Sequence, residues 1–212
     1  MKGLILNNLY TVEKSIKSST ILAIAVVIGL MITKTPMALK VAIFLPFLLV
    51  PVHAFEVLKH DAMSGWNKFE LTLPLTRKTI ITSKYVTFLL LFILSALIVS
   101  VPFLIAHVFI FPTMTPLFFN FFLRGMGLIL CMATLTYPLT YILGTEKSDT
   151  VTISSVGFSL GMFFLLSVLL QMLIGTIEGF DEIFSVTFLS VSILLLVISY
   201  FTSNEIYKRK EF

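Results

Sequence analysis

Long apolar stretches separated by short polar segments dominate the chain. Six of them are long enough to cross a membrane as helices: residues 19–33, 36–55, 85–111, 116–144, 150–175 and 183–203. A spanning helix needs about 20 mostly apolar residues, because the hydrocarbon core of a bilayer is about 30 Å thick. Prolines inside three of these stretches are compatible with helices, since neighbouring helices can satisfy the freed backbone groups. We therefore predict an all-helical, polytopic membrane protein with six spans.

The overall composition supports a bilayer environment. Hydrophobic residues make up 58% of the chain and charged residues only 12%, whereas a soluble domain has about 25% charged residues to hydrate its surface. The net charge of +4 would suggest a nucleic-acid partner in a soluble protein. In a membrane protein the same excess is typical of basic residues kept on the cytoplasmic side. No nucleic-acid partner is expected.

The lysines and arginines are distributed unevenly between the polar segments. Of the 15, twelve lie in the N-terminal segment, the segment 56–84, the loop after the fourth span and the tail 205–212. Lys34 and Lys40 lie on the other side, together with an acidic loop before the sixth span. The positive-inside rule therefore predicts both termini in the cytoplasm, for a multi-pass protein of the cell membrane.

The N-terminal residues 1–17 form a segment of their own. Ile5, Leu9, Val12 and Ile16 recur at helical spacing, and the lysines lie largely elsewhere. This pattern predicts an amphipathic helix in the cytoplasmic interface, with its apolar side toward the acyl chains. A frayed terminus is the alternative. The transmembrane domain would then cover residues 18–204.

The longest polar segment contains the single tryptophan of the chain. Trp66, Phe69 and Leu73 lie at positions i, i+3 and i+7, so a short helix would present them on one face. Pro74 would end that helix, and Thr76 is placed to cap a second helix that continues into the third span. Two interpretations are open: an aromatic face that docks on a partner, or an interfacial belt with the tryptophan in the lipid headgroups.

Motifs for catalysis, phosphate binding or metal binding are missing from the sequence. The run GTEKSDT at 144–150 lacks the second glycine and the Gly-Lys-Ser/Thr order of a phosphate-binding loop. The three histidines belong to different regions and have no metal-ligand spacing. No Asp or Glu lies within the six predicted spans, which disfavours an intramembrane enzyme or an ion-coupled transporter.

Two features inside the predicted spans have several interpretations. Arg124 lies in the fourth span, where a charge at the helix centre costs about 2.5–3.5 kcal/mol. It could pair with the acidic outer loop, line a translocation path, or snorkel outward. Gly157 and Gly161 form a G-x-x-x-G pattern in the fifth span, which lets two helices approach closely. This pattern predicts either packing within the chain or a homodimer seam.

The polar segment also carries a family resemblance. The run GWNKFELTLPLTRKTIITSKY, at residues 65–85, resembles the first cytoplasmic loop of small type-2 ABC exporter permeases. The opening MKGLILNNLY is similar to the start of the same family, and six spans with cytoplasmic termini extend the likeness over essentially the whole chain. Within the family, the chain looks most like permeases that export amphipathic peptides, such as staphylococcal phenol-soluble modulins, or antimicrobial peptides. That likeness implies export of toxin-like peptides and a link to virulence.

The resemblance implies a complex of two permease chains and two separate nucleotide-binding subunits. ATP and Mg²⁺ would be bound by those ATPase subunits, and this chain would bind no cofactor. Residues 1–17 would be the connecting helix, and the segment from Asp61 to Glu70 the coupling helix seated on the ATPase. Residues 169–184 would contain short re-entrant outer helices, a segment that includes Gly175, Glu178 and Gly179. The two glycines make such a break physically reasonable.

The coupling segment is the part of the sequence for which we predict specific contacts. Trp66 and Phe69 would insert into a groove on the ATPase as anchors. The charged residues that would form a polar rim around them are Asp61, Lys68 and Glu70.

An ATP-driven exporter permease is the function that these observations favour. A membrane sensor or assembly partner without transport is an alternative. An integral membrane enzyme is a weaker alternative, because it would need paired acidic or histidine residues at membrane depth. A neighbouring coding sequence for an ATPase with a phosphate-binding loop would separate the first hypothesis from the others.

Overall fold

Helices make up every regular element of the described chain. The computed structural model describes residues 1–33, 35–109, 115–175 and 179–209, without the side chains of residues 36, 68, 71, 106–109 and 115–117. The helices are α1 (Lys2–Thr11), α2 (Glu13–Thr33), α3 (Pro36–Leu49), α4 (His53–Met63), α5 (Trp66–Phe69), α6 (Arg77–Phe109), α7 (Thr115–Leu143), α8 (Ser148–Ile174) and α9 (Phe180–Arg209). Two 3₁₀ turns cover Glu70–Thr72 and Thr145–Lys147. Lys34, Glu178 and residues 210–212 lie outside the described residues.

The six predicted spans are confirmed. Six stretches of the described chain are long and apolar enough to cross a bilayer: α2, α3 with α4, α6, α7, α8 and α9. The helices extend past the predicted bounds, because hydropathy marks the apolar part of a helix and misses its polar ends. The second span continues to Met63, and the third begins at Arg77. The polar segment between them therefore shrinks from 56–84 to residues 64–76.

Two predicted helices are interrupted in the structure. The second span breaks between α3 and α4 at Pro51, which has no N–H to continue the backbone hydrogen bonds, whereas Pro46 is accommodated inside α3. The N-terminal helix ends at Thr11, and residues 13–17 belong to α2 instead of the predicted segment 1–17. The interfacial location of the N-terminal segment stays a prediction.

The buried side of α1 faces the protein. Leu4, Asn8 and Val12, spaced by four residues, are all less than 9% exposed, and α1 packs on α6 and α4. The predicted orientation of Val12 toward the acyl chains is therefore wrong. It was based on hydrophobicity alone, which does not distinguish a lipid-facing side chain from one packed against another helix.

Helix α7 packs at the centre of the bundle against α9, α8 and α3. Two of its glycines allow close approach: a Cβ on Gly127 would lie 2.6 Å from the Phe188 ring, and one on Gly125 would lie 2.9 Å from the Phe47 ring. An aromatic cluster fills the space between α4, α6 and α7, with the rings of Tyr85 and Tyr137 stacked at 4.3 Å.

The first helix and the end of the described part of α9 lie at the same end of the bundle. Asn8 in α1 contacts Lys84 near the start of α6. The guanidinium of Arg77, the first residue of α6, donates to the carbonyls of Tyr207 and Lys208 near the end of α9. We refer to this end as the terminal end. An even number of spans requires such an arrangement.

Candidate functional site

The polar segment 64–76 folds into a compact turn at the terminal end. Gly65 has a φ of +73°, a conformation that favours glycine, and it reverses the chain between α4 and α5. The 3₁₀ turn and Pro74 then lead into α6. The predicted cap of that helix is confirmed, because the Thr79 N–H donates to the Thr76 hydroxyl oxygen over 3.3 Å.

An apolar surface is exposed on this segment. The rings of Trp66 and Phe69 lie 5.3 Å apart. Phe69 is 52% exposed and Met63, at the end of α4, is 77% exposed, while Trp66 is half-buried. We call these three residues the aromatic patch. Leu73, predicted on the same face, lies beyond the 3₁₀ turn in extended backbone.

A buried lysine lies beneath the aromatic patch. The Lys84 side chain is only 4% exposed. Its ammonium donates to the Asn8 side-chain oxygen over 2.8 Å and also binds the Asp61 carboxylate. The Glu70 carboxylate lies 3.5 Å from the same nitrogen. These four residues, the Lys84 cluster, join α1, α4, the first 3₁₀ turn and α6.

The aromatic patch is connected directly to the Lys84 cluster. The indole N–H of Trp66 donates to the Glu70 carboxylate over 2.9 Å, and the oxygen that accepts this bond is the one nearest the Lys84 ammonium. Asn8 in turn donates to the Thr87 hydroxyl one turn further along α6. Hydrogen bonds and an ion pair therefore connect α5 to both α6 and α1.

The structure corrects the predicted polar rim. Asp61 is 4% exposed and Glu70 is 1% exposed, so neither carboxylate can form an exposed rim. Their burial follows from that of Lys84, because a charge removed from water needs counter-charges and hydrogen bonds. The side chain of Lys68, the third predicted rim residue, lies outside the described part. The coupling function of the segment stays a prediction.

The Lys84 cluster contains more acid than base. Two carboxyl groups share one ammonium, and burial raises the pKa of Glu70 above its ordinary value of 4.5. The Lys84 charge and the Trp66 hydrogen bond act in the opposite direction but are outweighed. Glu70 is therefore a titratable group at a junction of helices.

A cavity of about 240 Å³ opens beside the cluster. It lies between the polar segment, the end of α7 with the following 3₁₀ turn, and Tyr207 of α9. A second cavity of about 190 Å³ lies between α4, the end of α7 and the start of α8. Lys59 and Asp149, 3.9 Å apart, are among the residues that line it.

At the opposite end of the bundle, Arg124 joins α7 to α9. Its guanidinium donates to the Ser185 hydroxyl over 2.9 Å and to the Asp181 carboxylate over 2.5 Å. The rings of Phe121 and Phe184 lie within 5.4 Å of it. The structure thus pairs Arg124 with the acidic loop, one of the three alternatives from the sequence. A role in a translocation path stays a prediction.

The predicted glycine sites lie on α8 and after it. A Cβ on Gly157 or Gly161 would meet no described atom within 4 Å, so the described chain does not pack against either glycine. Gly175 directly follows α8 and Gly179 directly precedes α9, and both have positive φ. Residues 169–174 belong to α8 and residues 180–184 to α9, so the predicted re-entrant helices are not found among the described residues.

Sequence reasoning missed two polar contacts between helices. The first is the contact of Asn8 with Lys84. The sequence indicates it only in that Asn8 is a polar residue at helical spacing between Leu4 and Val12, which are both buried. His53 links α2 to α4, since one ring nitrogen lies 2.6 Å from the Ser19 hydroxyl and the other 2.8 Å from the Glu56 carboxylate. The contacts of Asn8 with Lys84 and of His53 with Ser19 span 76 and 34 residues, so no sequence spacing predicts them.

Comparison with protein families gives a match over nearly the whole chain. Residues 3–208 match the model of a family described as ABC-2 family transporter protein. The comparisons with curated proteins and with solved structures gave no match.

Proposed function

Because the chain belongs to the ABC-2 family of transporter proteins, we propose that it is the permease subunit of an ATP-driven exporter in the cell membrane. Membership of the family implies a transport subunit that acts with an ABC ATPase. The ATPase would bind ATP and Mg²⁺, and this chain would bind no cofactor. We propose an amphipathic peptide of antimicrobial or toxin type as the cargo. This part of the proposal rests on the likeness of residues 65–85 to peptide-exporting permeases.

The observation that supports coupling is the aromatic patch and its connection to the membrane helices. A permease without a phosphate-binding loop has to receive energy mechanically, through a surface that moves when the ATPase changes shape. The patch is exposed, and Trp66 is hydrogen-bonded to Glu70, which pairs with Lys84 of α6. Helix α6 continues for 33 residues, long enough to carry a displacement across the bilayer.

The same proposal places the terminal end in the cytoplasm. Nearly all lysines and arginines outside the spans lie in segments at that end, as the positive-inside rule requires of cytoplasmic loops. The aromatic patch would then face the compartment that contains ATP. An interfacial belt is the competing interpretation of Trp66, and the variants described next distinguish the two.

The double variant Trp66→Ala, Phe69→Ala tests the coupling proposal. Aromatic anchors in a desolvated pocket typically contribute about 2 kcal/mol or more each on truncation. We expect the variant to insert normally, co-purify poorly with its ATPase and lose transport. The matched control is Phe119→Ala, Phe201→Ala, which removes two rings that are 52% and 63% exposed on α7 and α9. Wild-type association and turnover in the first variant would refute the coupling function.

The functional unit is proposed to contain two copies of this chain. Helices α2 and α8 are the least buried spans, with 11% of their most apolar windows buried. The two open glycines of α8 offer a flat surface on which a second helix could pack closely. Replacing Gly157 and Gly161 with leucine should reduce the mass of the detergent-solubilised particle, measured by light scattering, to that of a monomer. An unchanged mass would place the seam elsewhere.

A further inference from the structure

Lys40 is a cation without a counter-charge at the end of the bundle that contains Arg124. It lies in the first turns of α3 and is half-buried. Its ammonium lies 4.8 Å from the centre of the Phe121 ring, and among the described residues it has no hydrogen-bond or carboxylate partner. The face of a phenylalanine ring attracts a cation only weakly and does not neutralise it. A partly desolvated charge of this kind is unfavourable without an anion.

Arg124 adds a second positive charge beside the same ring. Its guanidinium carbon lies 5.4 Å from the centre of the Phe121 ring. Two of its nitrogens donate to Ser185 and Asp181, while Nη1 donates to no described residue. Asp181 is the one described carboxylate that pairs with either cation, since the exposed Glu182 pairs with neither. Two cations are therefore balanced by one carboxylate, and the described part of this site is complementary to an anion.

The surface around Lys40 faces lipid. On α3, Met37 and Val41 are 72% and 38% exposed, within a stretch long and apolar enough to cross a bilayer. Phe44, one turn further along, packs edge-on against Phe121 with 5.8 Å between the ring centres. Lys40 lies about 6 Å along the axis from the start of α3, and a lysine at such a position extends its ammonium to the level of the headgroups. The anions next to that ammonium would be lipid phosphates.

We propose that Lys40 binds the phosphate group of an anionic phospholipid in the leaflet at this end of the bundle. An acyl chain of that lipid would lie along Met37 and Val41, and Arg124 would add to the attraction. A lipid with a net negative charge, such as phosphatidylglycerol, balances the excess positive charge, whereas a choline headgroup brings its own cation. The exposed apolar side chains favour a lipid over a carboxylate of the cargo. This inference goes beyond the proposed function and does not depend on it.

Quenching by brominated lipids measures which lipid occupies this surface. Trp66 is the single tryptophan of the chain, so Met37→Trp in a Trp66→Phe background places the only fluorophore about one helical turn from Lys40. The purified chain is reconstituted into phosphatidylcholine vesicles that contain increasing fractions of phosphatidylglycerol or phosphatidylcholine with brominated acyl chains. Bromine quenches a tryptophan that it contacts. We expect an affinity for brominated phosphatidylglycerol about fivefold higher than for brominated phosphatidylcholine, the factor expected for one basic residue at a membrane surface.

Variants of Lys40 and a second tryptophan position control for nonspecific attraction of anionic lipid. Lys40→Gln should remove the preference, and Lys40→Arg should keep it, because the charge and its N–H donors are retained. Leu173→Trp in the same background places the fluorophore near the end of α8, where the side chain is 80% exposed and the helix contains no lysine or arginine. It should be quenched equally by both lipids. Unfolding temperatures check that each variant keeps its fold.

Three outcomes would overturn the inference. Equal quenching of Met37→Trp by the two brominated lipids would leave a carboxylate of the cargo as the anion for Lys40. A preference that persists in Lys40→Gln would mean that other groups attract the lipid. A preference that inorganic phosphate removes, but chloride at equal ionic strength does not, would make free phosphate the ligand. None of these outcomes affects the coupling proposal, because the aromatic patch lies at the other end of the bundle.

Discussion

The two ends of the bundle each bury a cation, but they surround it differently. At the terminal end, Lys84 has two carboxylates that are nearly inaccessible and an amide from a third element. At the opposite end, Arg124 has one carboxylate, that of Asp181, whose side chain is 73% exposed. The first arrangement joins four elements and the second joins two helices. A buried network of this kind requires all its members, whereas an exposed partner can be replaced by water.

This difference suggests different functions for the two ends. In the permease of an ABC transporter, the end that contacts the ATPase has to transmit a displacement to several helices together. The Lys84 cluster meets that requirement, because Asn8, Asp61 and Glu70 belong to different elements. The Arg124 pair holds α7 and α9 together locally. The comparison can be tested by removing each cation in turn.

The largest effect is expected for Lys84→Met. This variant leaves two buried carboxylates without their counter-charge, a change that typically costs about 3–5 kcal/mol. The free energy of unfolding in mixed micelles is the measurement. Lys59→Met is the matched control, since the Lys59 side chain is 50% exposed and 3.9 Å from its partner, and it should change stability by less than about 1 kcal/mol. Equal losses in the two variants would mean that Lys84 is hydrated.

A smaller effect is expected at the opposite end. Arg124→Met removes the hydrogen bonds that the guanidinium donates to Ser185 and Asp181. A hydrogen bond that involves a charged group typically contributes roughly 1.5–3 kcal/mol. The loss should fall at the lower end of that range, because water can solvate the exposed Asp181. Asp181→Asn, measured in the same micelles, should cost less than about 1 kcal/mol. A loss in Arg124→Met as large as in Lys84→Met would abolish the distinction between the two ends.

The spans were predictable from the sequence, but the Lys84 cluster was not. Apolar length is a local property, so six helices follow from the sequence, with errors only at their polar ends. Two partners of Lys84, Asp61 and Asn8, lie 23 and 76 residues away along the chain. A lysine at the start of an apolar stretch is usually an exposed cytoplasmic residue, and its burial depends on α1 packing over it. No pattern in the sequence of α1 alone predicts that contact.

The pairing of Arg124 was easier to anticipate for a physical reason. An arginine near the outer end of one span and an acidic loop at the outer end of another are brought to the same side by topology alone. The sequence left three alternatives for Arg124: an ion pair, a translocation path or a snorkelling side chain. The choice required the packing of α7 on α9, in which Gly127 lies directly against the Phe188 ring. Those two residues carry no motif, so the choice required the structure.

The smallest expected effect is a pH dependence confined to the terminal end. Burial raises the pKa of Glu70 above 4.5 in the folded chain, so between 4.5 and the raised value the folded state binds more protons than the unfolded state. The free energy of unfolding therefore falls as pH rises through that window. Glu70→Gln cannot titrate and should show a shallower decline, whereas Glu146→Gln, an exposed control, and Arg124→Met should keep the wild-type slope. Unfolding in mixed micelles across a pH series from 4 upward would measure it, taking the ordinary value of 4.5 as the start of the window. If the free energy of unfolding of Glu70→Gln fell as steeply with pH as that of the wild type, the decline would come from other groups. Glu70 would then not be the group that binds the extra proton in the folded chain.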